Sequence, residues 1–487
     1  MNTKIETLTP SGIWKNFKSL TQIPRPSKKE ARIIEYVKKF GENLGLETRV
    51  DRVGNIVIRK PATPGMENRK GVIFQSHLDM VPQKNSDKKH DFEKDPIEAY
   101  IDGEWVKANG TTLGADNGIG VAAMLSVLES KDLSHGPVEA LFTIDEETGM
   151  TGAFALESGV LKGDILLNLD SEDEGELYIG CAGGMDGNFE FDYLADKIPS
   201  GYKPYRIKIS GLKGGHSGID INLGRGNSNL ILFRMLWRAE NSSGMRLCEV
   251  EGGNMRNAIP REAHALVIVP ERNEKAFLEL VKEYTSVVTK ELALTEPDLK
   301  IELSKAEMPA IVMQADFQKR LIASVYSCPN GTIRMTDGIP GLVETSTNLA
   351  IVKTNPSLVN ISCLLRSSVD SAKENLANTM RALFEMAGAK VTFTGSYPGW
   401  KPNMDSAIMK TMDTVYQKKY GKKLEIKAIH AGLECGIIGG VYPNLDMVSF
   451  GPTIRHPHSP DEKVHVASVQ KFWDFLVDTL QNIPVKK

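Results

Sequence analysis

Gly71-Val-Ile-Phe-Gln-Ser-His-Leu-Asp-Met80 is the stretch on which the fold turns. Val72, Ile73 and Phe74 form an apolar run of the kind buried on both faces, and the run leads into two ionisable groups, His77 and Asp79. Residues i and i+2 of an extended strand point to one face. Imidazole and carboxylate therefore converge, as a metal ligand and the group that orients it do. Two more apolar strands end in acids: Val138-Glu-Ala-Leu-Phe-Thr-Ile-Asp-Glu-Glu147 and Ile165-Leu-Leu-Asn-Leu-Asp170. Between them, the glycine-rich Leu113-Gly-Ala-Asp-Asn-Gly-Ile-Gly120 passes into a helix with Asp116 at its start. Apolar strands alternating with helices, with reactive residues at the carboxyl ends, predict an α/β domain built on a mostly parallel central sheet.

Further out, Ser27-Lys-Lys-Glu30 predicts a capping box before an amphipathic helix carrying Ile33, Ile34, Val37, Phe40 and Leu44. Gly54-Asn55 predicts a hairpin turn, and residues 86–112 read as polar and irregular. The character changes near Gly183-Gly184. Tyr205–Ser210 and Lys300–Ser304 alternate as half-exposed strands do, and helices are expected at 226–240, 273–292 and 372–388. After Pro398-Gly-Trp-Lys-Pro402 the first pattern returns. The expected organisation is a catalytic domain in two segments, 1–185 and 397–487, interrupted by an inserted two-layer α+β domain, 186–396.

Composition narrows the function. A chain of 487 residues with 41% hydrophobic residues builds a sizeable core, and a net charge of −3 offers no basic face for nucleic acid. The five cysteines (181, 248, 328, 363 and 435) form no C-x-x-C pair, which disfavours a disulfide framework and a thiolate zinc site and favours a reducing, cytoplasmic compartment. The first residues lack the apolar stretch of a secretory signal, and no run of about 18 apolar residues predicts a membrane span.

Taken singly, Asp116 is equally a helix cap, Glu146-Glu147 a solvated strand end, and Asp170 the start of an acidic run. Together, strands ending in His or carboxylate line one rim of one sheet, where such sheets bind ligands. His77, Asp116, Glu147, Asp170 and the distant His458 give five ligands without cysteine, suited to Zn²⁺ or a similar ion. One bridging carboxylate would give each of two ions three protein ligands. Two divalent ions against three carboxylates leave one positive charge, which favours a bridging hydroxide near neutral pH. Adjacent strand residues face opposite sides, so Glu147 is expected to bind metal while Glu146 faces the water as general base.

These residues resemble the M20 clan of two-metal peptidases, and most closely its cytosolic aminoacyl-histidine dipeptidase branch. The resemblance spans essentially the whole chain. It rests on Ser76–Pro82, Thr112–Gly118, Asp145–Gly149, Asn168–Asp170, Gly214–Gly218 and His458–Glu462. It implies two Zn²⁺ per subunit, with Co²⁺ or Mn²⁺ as substitutes. One would be held by His77, Asp116 and Asp170, the other by Asp116, Glu147 and His458, with Asp116 bridging. Asp79 would fix the tautomer of His77, and Glu146 would act as base and then acid. The inserted domain would be a lid that also makes a homodimer contact. His216 would polarise the scissile carbonyl, and Asn257 and Arg366 would hold the substrate carboxylate.

Glu434, in Ile429-His-Ala-Gly-Leu-Glu-Cys-Gly436, is read as a partner for the α-ammonium of an unblocked dipeptide. Arg455-His-Pro-His458 offers two histidines for one ligand position; His458 is chosen because it directly precedes Ser-Pro-Asp-Glu, with His456 as the competitor. The expected function is hydrolysis of unblocked dipeptides, Xaa-His preferred. The alternatives are a tripeptidase or N-acyl-amino-acid deacylase sharing the metal core, and a catalytically silent peptide-binding protein.

Overall fold

The structure, a computed structural model, describes residues 4–486. Contacts divide the chain into two compact units, 1–181 with 400–428 and 433–487, and 182–399 with 429–432. The grouping of Ile429–Gly432 with the second unit has no counterpart in the sequence pattern.

The first unit is built on an eight-stranded sheet. Its four central strands lie in the order Val138–Thr143, Val72–His77, Ile165–Asn168, Asp446–Ser449, and are mutually parallel. Ile56–Lys60 and Glu47–Val50 continue the sheet antiparallel on one side, and Glu176–Cys181 lies antiparallel on the other. The hairpin closes over 51–55, where Asp51 Oδ1 accepts the backbone N–H groups of Val53, Gly54 and Asn55, each at 2.9 Å. All six residues of Val72–His77 are buried, as the apolar run requires. The helix Ala115–Glu129 is broken at its start, where Asp116 (ψ 111°) and Asn117 leave helical geometry; its regular part packs on this strand and on the helix Ser11–Thr21, and is buried nearly all round. Phe74 is fully buried at the centre. Phe74→Ala is expected to cost about 3–5 kcal/mol of stability, read from urea unfolding; a change under about 1 kcal/mol would contradict this packing.

Two expectations are corrected. The segment 86–112 contains a hairpin, Ala99–Asp102 with Trp105–Ala108, that pairs with Lys463–His465 and Ile454–Arg455 in a four-stranded sheet. That sheet presents the loop carrying His458. The capping box is also not formed: the helix Ala31–Asn43 has no side-chain cap among the described residues. Lys28 adopts a left-handed backbone (φ 67°), and Ser27 Oγ instead donates to Asp79 Oδ2 at 2.7 Å. Glu30 Oε1 accepts the N–H groups of Lys28 (2.8 Å) and Asp145 (3.1 Å).

The second unit carries a nine-stranded sheet whose described ladders are all antiparallel. Helices Ser228–Ser243, Glu274–Glu291, Ala315–Tyr326 and Asp370–Met386 pack on it around a continuous apolar core. Ala315–Tyr326 was not anticipated from the sequence.

Candidate active site and metal centre

Parallel register aligns the strand ends. His77 lies opposite Thr143, Gln75 opposite Asn168, and Asn168 opposite Ser449. Residues 77–79, 145–147 and 168–170 therefore emerge on one rim. There, His77 Nε2 is 3.1 Å from Asp116 Oδ1 and 3.4 Å from Asp170 Oδ1. His458 Nε2 is 3.3 Å from Asp116 Oδ2 and 2.9 Å from Glu147 Oε2. Asp116 thus gives one oxygen to each of two donor groups. His456 makes none of these contacts among the described residues.

The spacing is close to that around metal ions. Tetrahedral zinc with bonds of about 2.0–2.2 Å sets its donor atoms about 3.3–3.5 Å apart; the donor contacts at 3.3 and 3.4 Å match this, and those at 2.9 and 3.1 Å are a few tenths of an ångström shorter. Glu147 Oε1 is buried without a hydrogen-bond partner among the described residues. The donor set of imidazole and carboxylate fits Zn²⁺ and similar ions.

The glutamate doublet departs from the strand expectation. Glu146–Gly149 is a single helical turn that follows a left-handed Asp145 (φ 51°). The two carboxylates do not alternate: donor atoms of Glu146, Glu147 and His77 all lie within 4.8 Å of one another. The cause is Asp79, whose carboxylate accepts the backbone N–H groups of Glu146 (3.0 Å) and Glu147 (3.2 Å). Its Oδ1 also lies 3.3 Å from His77 Nδ1. Asp79 therefore anchors the doublet as well as facing the ring.

Charge follows geometry. Burial would raise the Asp79 carboxyl, but the adjoining His77 ring and hydrogen bonds from Ser27 Oγ and Glu146 N–H outweigh it and hold it at about 2. Burial, with the charges of Asp170, Glu434 and Glu147 against that of His77, pushes Glu146 well above the carboxylate range. Hydrogen bonds to Asp116 and Glu147 raise His458 to about 11. For His77 burial acts downward, yet Asp170 and Asp116 carry it well above the ordinary imidazole value. A raised value means a proton held at neutral pH, which an incoming cation must displace. Metal binding is thus expected to release protons and to weaken as pH falls from about 8 to 6, measured by calorimetry in buffers of different ionisation heat. Binding without proton release would contradict this.

In the second unit, Gly215–His216 pairs with Ala258–Ile259. His216 Nδ1 accepts the N–H groups of Gly218 and Ile219, both at 3.1 Å, which leaves the ring proton on Nε2 as a donor. Burial, then Arg366, lowers its pKa, so the ring is neutral at pH 7. Arg366 is buried, yet its contacts are long: Tyr397 Oη at 3.4 Å, and His216 Nε2 and Ser217 Oγ at 3.5 Å. Its Nε has no hydrogen-bond partner among the described residues. Asn257 is exposed in the adjacent turn, and its carbonyl accepts Ser217 N–H at 2.9 Å.

The model of peptidase family M20/M25/M40 matches residues 73–482. The chain belongs to this family. It is 46% identical to the cytosol non-specific dipeptidase of Escherichia coli strain K12, over 99% of this chain and 100% of that protein. The crystal structure of aminoacylhistidine dipeptidase from Vibrio alginolyticus superposes with a TM-score of 0.96 at 51% identity, covering 100% of this chain and 99% of the other. Aminopeptidase PepT from Bacillus cereus shares the fold, with a TM-score of 0.58 at 17% identity over 98% of this chain and 99% of that one.

Glu434 in this M20 peptidase opens the helix Glu434–Val441 and is 1% exposed. Its Oε2 accepts from Gln75 Nε2 (2.5 Å) and Thr143 Oγ1 (2.8 Å), while Oε1 is buried without a partner among the described residues. Burial raises it to about 7. Several residues around the M20 site had no role in the sequence reading. Asn117 Nδ2 donates to Leu169 O at 2.8 Å and to Asp170 Oδ1. Glu172 is pushed to about 8 by burial and by the charges of Asp116 and Asp170. Arg25 and Glu462 are both buried and bind backbone atoms next to Asp79 and Asp116. Arg25 has one sequence signal, a charge flanked by Pro24 and Pro26; Glu462 has its place four residues after His458.

Proposed function

We propose that this M20 peptidase is a two-zinc dipeptidase that hydrolyses unblocked dipeptides, with preference for carboxyl-terminal histidine. The observation that carries the reading is the pair of donor groups sharing Asp116, with Glu146 beside them. Of the three similar proteins above, the two that are 46% and 51% identical are dipeptidases by name, a cytosol non-specific dipeptidase and an aminoacylhistidine dipeptidase. His77, Asp116 and Asp170 would hold one Zn²⁺, and Asp116, Glu147 and His458 the other. Bound there, the ions would polarise the scissile carbonyl and make water more acidic.

The chain's own residues do the rest. Asp79 keeps the His77 ring and the Glu146-Glu147 turn in register. Glu146 accepts the proton of the attacking water and returns it to the leaving amine; a carboxylate oxygen of Glu146 lies within 4.8 Å of donor atoms of His77 and Glu147, and cations held there would draw its carboxyl back to the ionised form a base needs. The Nε2–H of His216 donates to the carbonyl oxygen as negative charge develops. Arg366, buried and with hydrogen-bond contacts of 3.4–3.5 Å, takes the substrate carboxylate with Asn257 beside it. The unpaired Oε1 of Glu434 takes the α-ammonium. The E. coli protein's name and five free, buried cysteines support a cytoplasmic setting.

A substrate panel tests the specificity. Xaa-His dipeptides should give the highest kcat/KM, and the N-acetylated dipeptide should lose about 10²-fold or more, because the blocked amine leaves Glu434 unpaired. Equal rates on tripeptides or N-acyl amino acids would overturn the dipeptidase reading.

A further inference from the structure

The loop Leu113–Asp116 is held from both sides by buried ions of opposite charge. On its N–H side, Glu462 Oε2 accepts from Leu113 (2.7 Å) and Gly114 (2.9 Å), and Oε1 accepts from Ala115 (2.7 Å) and Asp116 (3.2 Å). Four consecutive backbone donors converge on one carboxylate that is 2% exposed. On its carbonyl side, an Arg25 NH2 group donates to Gly114 O at 2.5 Å. The other arm of that guanidinium donates to Leu78 O and Asp79 O, both at 2.8 Å. Arg25 is 3% exposed, and a Cβ on Gly114 would fall 2.6 Å from it; Gly114 also has φ 70°. Glycine is required there both for backbone angle and for space.

Two buried ions are costly to desolvate, and their removal from water is weak evidence for stability alone. Their hydrogen bonds all go to the two backbone segments that present His77, Asp79 and Asp116. We propose that Arg25 and Glu462 are positioning residues that lock the Asp116 loop to the His77–Asp79 strand end, so that the two oxygens of Asp116 are aimed at two metal positions at once. The proposal rests on the two-metal reading above. A guanidinium fork spans three carbonyls at fixed angles, which an ammonium does not. A carboxylate meets four N–H groups with acceptors only, which an amide does not.

The test uses the full-length protein and the isosteric variants Glu462→Gln and Arg25→Lys. Glu139→Gln is the control: Glu139, on the strand Val138–Thr143, is buried and also accepts two backbone N–H groups, from Lys162 and Gly163, away from the metal ligands. Co²⁺ affinity is measured by chelator competition, the Co²⁺ visible spectrum reports coordination, and melting of the metal-free chain reports stability. The expected result is a 10–100-fold loss of Co²⁺ affinity with an altered spectrum in Glu462→Gln and Arg25→Lys, and wild-type affinity and spectrum in Glu139→Gln. Wild-type Co²⁺ affinity and spectrum in both site variants would overturn the positioning role, whatever their melting temperatures. Failure of the wild-type chain itself to bind Co²⁺ would instead refute the two-metal reading beneath it.

Discussion

Glu146→Gln is expected to lower kcat by about 10²–10⁴-fold, the range for losing a positioned general acid–base, while both metal ions stay bound. The glutamine fills the same space but can neither take a proton from water nor return one to an amine. Glu146 is not one of the five residues of the two donor groups that meet at Asp116, although its carboxylate lies within 4.8 Å of donor atoms of His77 and Glu147, so metal content should be unchanged by mass spectrometry. Turnover within about threefold of wild type in a metal-replete variant would remove Glu146 from the mechanism.

Asp116→Ala should be more severe. Its two oxygens serve separate groups, His77 with Asp170 and His458 with Glu147. Removing them takes a ligand from both ions together. Metal-ion catalysis supplies several kcal/mol per ion, so losing both is expected to cost about 10⁴-fold or more in kcat/KM. Neither ion should survive gel filtration of this variant. His458→Ala, by contrast, should weaken one ion and spare the other. Retention of two ions by Asp116→Ala would show that it does not bridge.

What the sequence made legible, and what it did not, has a physical pattern. Val72–His77 and Ile165–Asn168 could be read because strands buried on both faces are written as apolar runs, and the polar groups following them stand out. The Asp116 loop could be read because its glycines mark an unusual turn. The roles of Arg25 and Glu462 could not, because both bind backbone atoms, which are the same at every position. Ser27-Lys-Lys-Glu30 reads as a helix cap whichever way its side chains face; the left-handed Lys28 turns Ser27 toward Asp79. The glutamate doublet was placed on alternating faces because nothing marks Asp145 as left-handed. The hairpin Ala99–Asp102 with Trp105–Ala108 is short and half exposed, so its pattern is weak, yet it supports the strands that flank the His458 loop.

The central claim is that two metal ions, sharing Asp116, run peptide hydrolysis on this chain. It is tested most directly by stripping the protein with a chelator and titrating Zn²⁺ back while following cleavage of an Xaa-His dipeptide. The account expects no turnover in the stripped chain and a rise that levels off at two ions per chain. Full turnover in the stripped chain, or a maximum reached at one ion, would contradict it.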